Sequence, residues 1–196
     1  MGIFRTLYRE ARDIIGLKPP AENESQLAER VCGEVKSEVG GKRTQEGDDY
    51  KLALQIDGRD VVITFEAAGS RAYFDITSSL EEGPTFVVNF DPSGGKDQPP
   101  KGTIRKGVAT GCYVEGTAAE ASTQEQLFKA LPTGTRAALA SLVQKTKGTF
   151  GYDEGAFRFV PETPTLSGPS AKYNVKTHLT TLMQLVNDIE TAWNAL

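Results

Sequence analysis

Seven apolar residues near the C-terminus, Val175, Leu179, Leu182, Val186, Ile189, Trp193 and Leu196, recur at alternating steps of four and three, the spacing that lines one face of a helix. A strand turns successive side chains to opposite faces and cannot gather this pattern on one side. The chain must therefore end in a long amphipathic helix, expected from about Asn174. Burying one such side chain stabilises by about 1.5 to 3 kcal/mol, while fixing each backbone residue costs about 1 to 2 kcal/mol. The helix is thus not self-sustaining and has to dock, on its own sheet or on a partner chain. Val175, Leu179, Leu182, Val186, Ile189 and Trp193 are accordingly the first candidates for a partner-binding surface.

A sheet for that helix to cover is written upstream. Tyr50, Leu52, Leu54 and Ile56 alternate with Lys51, Ala53 and Gln55, as a strand with one solvated face requires. Asp57-Gly58 then supplies a two-residue turn that tolerates positive φ, and Val61, Ile63 and Phe65 run back beside it. Ala72, Phe74 and Ile76 predict a third strand, and Phe86, Val88 and Phe90 a fourth. Ile104, Val108, Cys112 and Val114 predict one or two more, interrupted by Gly107, Gly111 and Gly116. Phe150 and Tyr152, the turn Asp153-Glu154-Gly155, and Phe157 and Phe159 make a second hairpin.

Helices occupy the intervals. Asn23 or Ser25 caps a stripe of Leu27, Val31, Val35 and Val39 that Gly40-Gly41 terminates. Thr123-Gln124-Glu125-Gln126 fits a capping box opening a short helix through Leu131, which Pro132 closes. Ala138, Leu139, Leu142 and Val143 mark another helix, ending at Gly148. The expected architecture is α+β: an antiparallel meander sheet of about five to seven strands, helices packed on one face, and the long C-terminal helix among them. Residues 21–196 form this domain, with an exposed loop at 91–103 and a proline-bearing connector at 161–173. Residues 1–20 read as an amphipathic helix able to stand as a separate arm, with Ile3, Phe4, Leu7, Ile14 and Ile15 on one face. Its Arg5, Arg9 and Arg12 offer an acidic partner or an anionic surface something to bind.

Composition narrows the function classes. A formal net charge of -4 over 196 residues gives no global attraction for phosphate backbones, so nucleic acid is not an expected partner. No apolar run nears the roughly 20 residues that cross a bilayer. Cys32 and Cys112, both in apolar surroundings, are too few for a disulfide framework and fit a reducing cytoplasm.

Reaction machinery is hard to assemble from the remaining residues. The one histidine, His178, lies in the terminal helix beside its apolar seam, and no nucleophile elbow accompanies it. Two separated cysteines and one histidine cannot make a zinc site, so no metal and no cofactor is expected. The turn carboxylates Asp48, Asp49, Asp57, Asp60, Asp153 and Glu154 read first as turn formers. Ser93-Gly94-Gly95-Lys96 imitates a phosphate-binding loop, yet Asp97 stands where a magnesium-binding hydroxyl belongs. Met1-Gly2-Ile3-Phe4-Arg5-Thr6 satisfies a myristoylation pattern, which together with the basic arm would make a peripheral membrane adaptor.

From about residue 24 the order of helix, three meander strands, further strands, a helical pair, a hairpin and a long helix resembles that of type III secretion chaperones and related small bacterial folds. The resemblance implies a chaperone-like, partner-holding role. The functional expectation is a non-enzymatic interaction or regulatory module of the cytosol, binding a protein partner or a second copy of itself. The alternative is a small hydrolase or transferase with carboxylate, lysine or tyrosine chemistry in a cleft near Gly107–Gly116.

Overall fold

A computed structural model describes residues 22–80, 82–83, 85–90, 112–115 and 121–196. The N-terminal arm with Arg5, Arg9 and Arg12, the 91–103 loop and all of the Gly107–Gly116 region except Cys112–Glu115 lie outside these residues. The described part runs α1 (Glu24–Val39), β1 (Lys42–Glu46), β2 (Asp49–Ile56), β3 (Arg59–Glu66), β4 (Arg71–Thr77), β5 (Phe86–Phe90) and β6 (Cys112–Glu115). It continues with α2 (Ala121–Ala130), α3 (Thr133–Thr146), β7 (Thr149–Asp153), β8 (Ala156–Val160) and α4 (Ala171–Asn194).

The eight described strands form one sheet in the order β1-β2-β3-β4-β8-β7-β5-β6, and every neighbouring pair is antiparallel. The first four strands are a meander. The chain then leaves β4, and the β7–β8 hairpin takes the place beside it, pairing Phe74 with Phe159 and Ile76 with Phe157. Hydrophobic alternation predicts each strand but not which strands are neighbours, so this insertion could not be read locally. β1 is the additional strand. Its sequence, Lys-Arg-Thr-Gln-Glu, has no apolar alternation, and it pairs because the Gly47-Asp48 turn folds it back on β2.

Local chemistry accounts for most element ends. Asn23 caps α1 in a reciprocal box, its Oδ1 accepting from the Gln26 amide at 2.8 Å while Gln26 Oε1 accepts from the Asn23 amide at 3.2 Å. Asp57 and Gly58 sit at φ 51° and 78°, the paired left-handed residues of the β2–β3 turn. Gly41 holds φ +95°, and a Cβ there would meet Leu54 and stand 2.6 Å from the Ala53 carbonyl, so only glycine fits where α1 turns into β1. Two expected helix starts are corrected. The second helix begins at Ala121, so Thr123 lies inside it and Gln124 is buried with its Nε2 donating to the Thr85 carbonyl. The terminal helix starts at Ala171, three residues before Asn174.

All four helices bury their apolar stripes in one core with one face of the sheet. Ala28, Val31, Cys32 and Val35 of α1 lie over β2 and β3, α3 lies over β5 and β6, and α4 runs between α1 and α3. Seven phenylalanines, Phe65, Phe74, Phe86, Phe128, Phe150, Phe157 and Phe159, are fully buried. The connector from β8 is tied down. Thr165 Oγ1 accepts from the Ala72 amide at 2.8 Å, and the Ser70 carbonyl accepts from the Thr165 and Leu166 amides at 2.9 Å.

Candidate functional site

The α4 seam turns inward. Val175, Leu179, Leu182, Val186 and Ile189 are buried, joined by Met183, Leu185 and Ala192. As a partner surface these five are therefore corrected: the helix docks on the chain's own sheet and leaves them nothing to offer a second molecule. Trp193 is half-buried, with its indole Nε1 donating to the Glu82 carbonyl at 2.8 Å. Only Leu196 keeps substantial exposure, at 58%.

His178 stands edge-on to the Phe74 and Phe159 rings, at centroid distances of 6.3 and 5.7 Å. Its Nδ1 is buried without a partner, and burial pushes its pKa below the ordinary histidine value. The ring borders a groove between α3 and α4 of about 400 Å³ that Ser141, Lys145, Asn174 and Thr181 also line. A neighbouring groove of about 500 Å³ continues past Gly134, Ala138 and Gln184 to Asp188. Asp188 is taken up by the Thr135 hydroxyl and the Gln184 amide, so histidine and carboxylate do not converge there.

The most fully bonded polar group is one that sequence patterning misses. Glu190, its side chain 5% exposed, forms an ion pair with Arg59 at the start of β3. Its Oε1 accepts from the Ser78 hydroxyl and the Ser79 amide, both at 2.8 Å, and its Oε2 accepts from the Ser79 hydroxyl at 2.6 Å. Burial alone would raise the Glu190 pKa; Arg59 and the serine donors outweigh it and hold the carboxyl below its usual range. With every lone pair engaged, the carboxylate is a clamp between α4 and the sheet. Nothing at the level of sequence marks it, because its partners lie 131 and about 112 positions away.

The sheet face opposite the helices carries a different surface. Across its middle, Ala53, Val62, Asp75, Arg158, Gly151 and Val87 stand in register on successive strands. A parallel row places Lys51 beside Thr64 and Thr64 beside Tyr73. Val62, Thr64, Tyr73, Asp75 and Val87 are half-buried, whereas Ala53 and Arg158 are exposed. Among the described residues no helix packs on this face. Its charges are paired: Arg158 with Asp75 at 2.6 Å, and Arg71 with Glu66 at 2.8 Å. Burial and the neighbouring Glu66 push the Tyr73 phenol up to about 12, so it remains protonated at any ordinary pH.

These directions bear on chemistry. A general acid or base works best with a pKa near the operating pH. Glu38, Glu66 and Glu190 are all held below the usual carboxylate range by ion pairs or donors, and the Cys32 and Cys112 thiols are pushed up by burial. Each is driven away from neutrality. Among the described residues no three of His, Cys, Asp and Glu gather closely enough to hold a metal ion, and no helix is long and apolar enough to cross a membrane. Asp49 accepts from the Ala67 amide, tying the start of β2 to the end of β3, and Asp60 accepts from Gln55 across the β2–β3 hairpin.

Comparison with known protein families, with curated proteins and with solved structures gave no match.

Proposed function

We propose that this protein is a non-enzymatic interaction module of the cytoplasm that meets its protein partner, or a second copy of itself, through the sheet side of the fold. One observation carries the proposal: four helices cover one sheet face, and the opposite face, with Val62, Tyr73 and Val87 half-buried among paired charges, has no described element packed on it. Flat, mixed surfaces of this kind suit protein recognition, in which aromatic and aliphatic anchors sit inside a polar rim. The titratable groups support the same choice, since carboxylates fixed as anions and a phenol fixed as neutral bind and orient well but exchange protons poorly. The acidic balance disfavours nucleic acid, and two buried free thiols are at home in a reducing compartment.

Photo-crosslinking at native expression level tests the proposal. A photoreactive residue at Tyr73 should yield a discrete adduct, whereas one at Thr180, on the exposed helix side, should not. Adducts from Thr180 alone, or substrate turnover by the purified chain, would refute it.

A further inference from the structure

β1 is one of the two end strands of the sheet, and among the described residues no strand pairs with its outer side. Lys42, Thr44, Gln45 and Glu46 are all exposed. An open edge is a template for another strand, and proteins commonly blunt it with charge. Here the charges are arranged antisymmetrically about the centre, Lys42-Arg43-Thr44-Gln45-Glu46. We propose that β1 pairs antiparallel with β1 of a second copy about a two-fold axis through Thr44, joining the two sheets edge to edge. This contact goes beyond the sheet-side proposal above: it uses the edge of the sheet and leaves the open face around Tyr73, three strands away on β4, uncovered.

The register follows from the sequence. With Thr44 opposite Thr44, Lys42 of each copy faces Glu46 of the other, and Arg43 faces Gln45. Moving the two-fold axis to Arg43 or to Gln45 loses both opposite-charge pairs, so among symmetric registers the pattern selects the one through Thr44. Backbone geometry agrees. Glu46 opposite Asp49 closes the two-residue Gly47-Asp48 turn, so Glu46, Thr44 and Lys42 direct their backbone groups to β2. Arg43 and Gln45 turn theirs outward, and pairing Arg43 with Gln45 twice supplies both donors and acceptors. Beyond the strand, Gly41 meets Gly47 of the other copy, so no side chains collide at the ends.

The side chains are placed for it. Lys42 has no ion-pair partner among the described residues, and Glu46, bonded only to Lys51 at 2.7 Å, is mostly exposed. Arg43 is already fixed on the helix side, over the Tyr50 ring at 4.4 Å and bonded to Glu29 at 3.0 Å. It therefore does not obstruct the edge. α1 packs chiefly on β2. With strands about 4.8 Å apart, the two α1 helices would be about 14 Å from each other, beyond the 8 to 10 Å of direct helix contact, and do not clash.

Sedimentation equilibrium on the full chain at low salt, up to millimolar concentration, tests this. The native protein should show a monomer–dimer equilibrium. Lys42→Glu or Glu46→Lys alone places like charges opposite each other twice and should raise the dissociation constant at least about tenfold. Mixing these two variants should restore the dimer as a heterodimer, and the double variant K42E/E46K should restore it as a homodimer. Gln45→Pro, which removes an outward N–H, should abolish pairing, with circular dichroism confirming the fold. A native chain monomeric throughout, or single variants that dimerise as the native chain does, overturns the proposal. A monomer that still crosslinks through Tyr73 to another protein would sink this inference alone and leave the sheet-side function standing.

Discussion

Replacing Glu190 by Ala isolates the interaction that fastens α4 to the sheet. The substitution leaves the Arg59 guanidinium, 14% exposed, without its counter-ion. It also takes the acceptor from the Ser79 amide and from two serine hydroxyls. Removing one partner of a buried pair typically costs about 3 to 5 kcal/mol, because the surviving charge stays desolvated. Against a total stability of about 5 to 15 kcal/mol that is a large share, and at about 2 to 4 °C per kcal/mol for a chain of this size it lowers Tm by about 6 to 20 °C. The double variant R59M/E190L removes both charges and should recover about half of the loss, retaining about 1 to 3 kcal/mol for the stranded serine donors. Urea unfolding followed by fluorescence of Trp193, the one tryptophan, measures all three. The pH dependence supplies a second reading. Glu190 is held below its ordinary pKa when folded, so its contribution is complete above the unfolded value near 4.5 and is lost as pH falls through the folded one. Glu190→Ala should flatten that acid limb. A loss under about 1 kcal/mol, or an R59M/E190L variant no more stable than Glu190→Ala, would refute the clamp.

Other groups give independent readings. Burial lowers the folded pKa of His178 from about 6.5, so the unfolded chain binds the proton more readily and stability falls as pH drops below that value. His178→Phe should remove this slope, measured by unfolding free energy between pH 7 and pH 5, and an unchanged slope would assign it elsewhere. Cys32 and Cys112 are buried, with thiol pKa values pushed up, so both should resist a thiol reagent in the native state and react together on unfolding. Rapid labelling of either thiol in the folded protein would contradict its placement in the core.

The fold was legible wherever one residue's environment repeats along its own element. Tyr50, Leu52 and Leu54 alternate because β2 has one wet face, and Val175 through Ile189 recur because α4 has one dry stripe. Both patterns appear in sequence at the period of the element. Asn23 could be put forward beside Ser25 as a cap because capping is local, and the reciprocal bond with Gln26 decides between them. What sequence concealed is set by tertiary distance. β4 meets β8 and not β5, Glu190 meets Arg59 and Ser79, and β1 exists only because a turn returns it to β2. The α4 candidates turn inward for a related reason. An apolar stripe reports that something covers it but carries no label for what, and in α4 the cover is the chain's own sheet.

With the α4 stripe inside the core, a partner surface lies elsewhere on the fold. In a one-layer helix-on-sheet fold, every strongly periodic apolar face is needed to close the core, so the residues left for another molecule are those whose patterning is weakest. β1 and the open sheet face answer that description. They bring little apolar area, and an association built from a short backbone ladder and two Lys42–Glu46 pairs must be weak and salt-sensitive. Such a contact suits a module whose assembly follows its local concentration. The α4 core beneath it, held by Glu190 and buried aromatics, remains intact whether or not the edge is occupied.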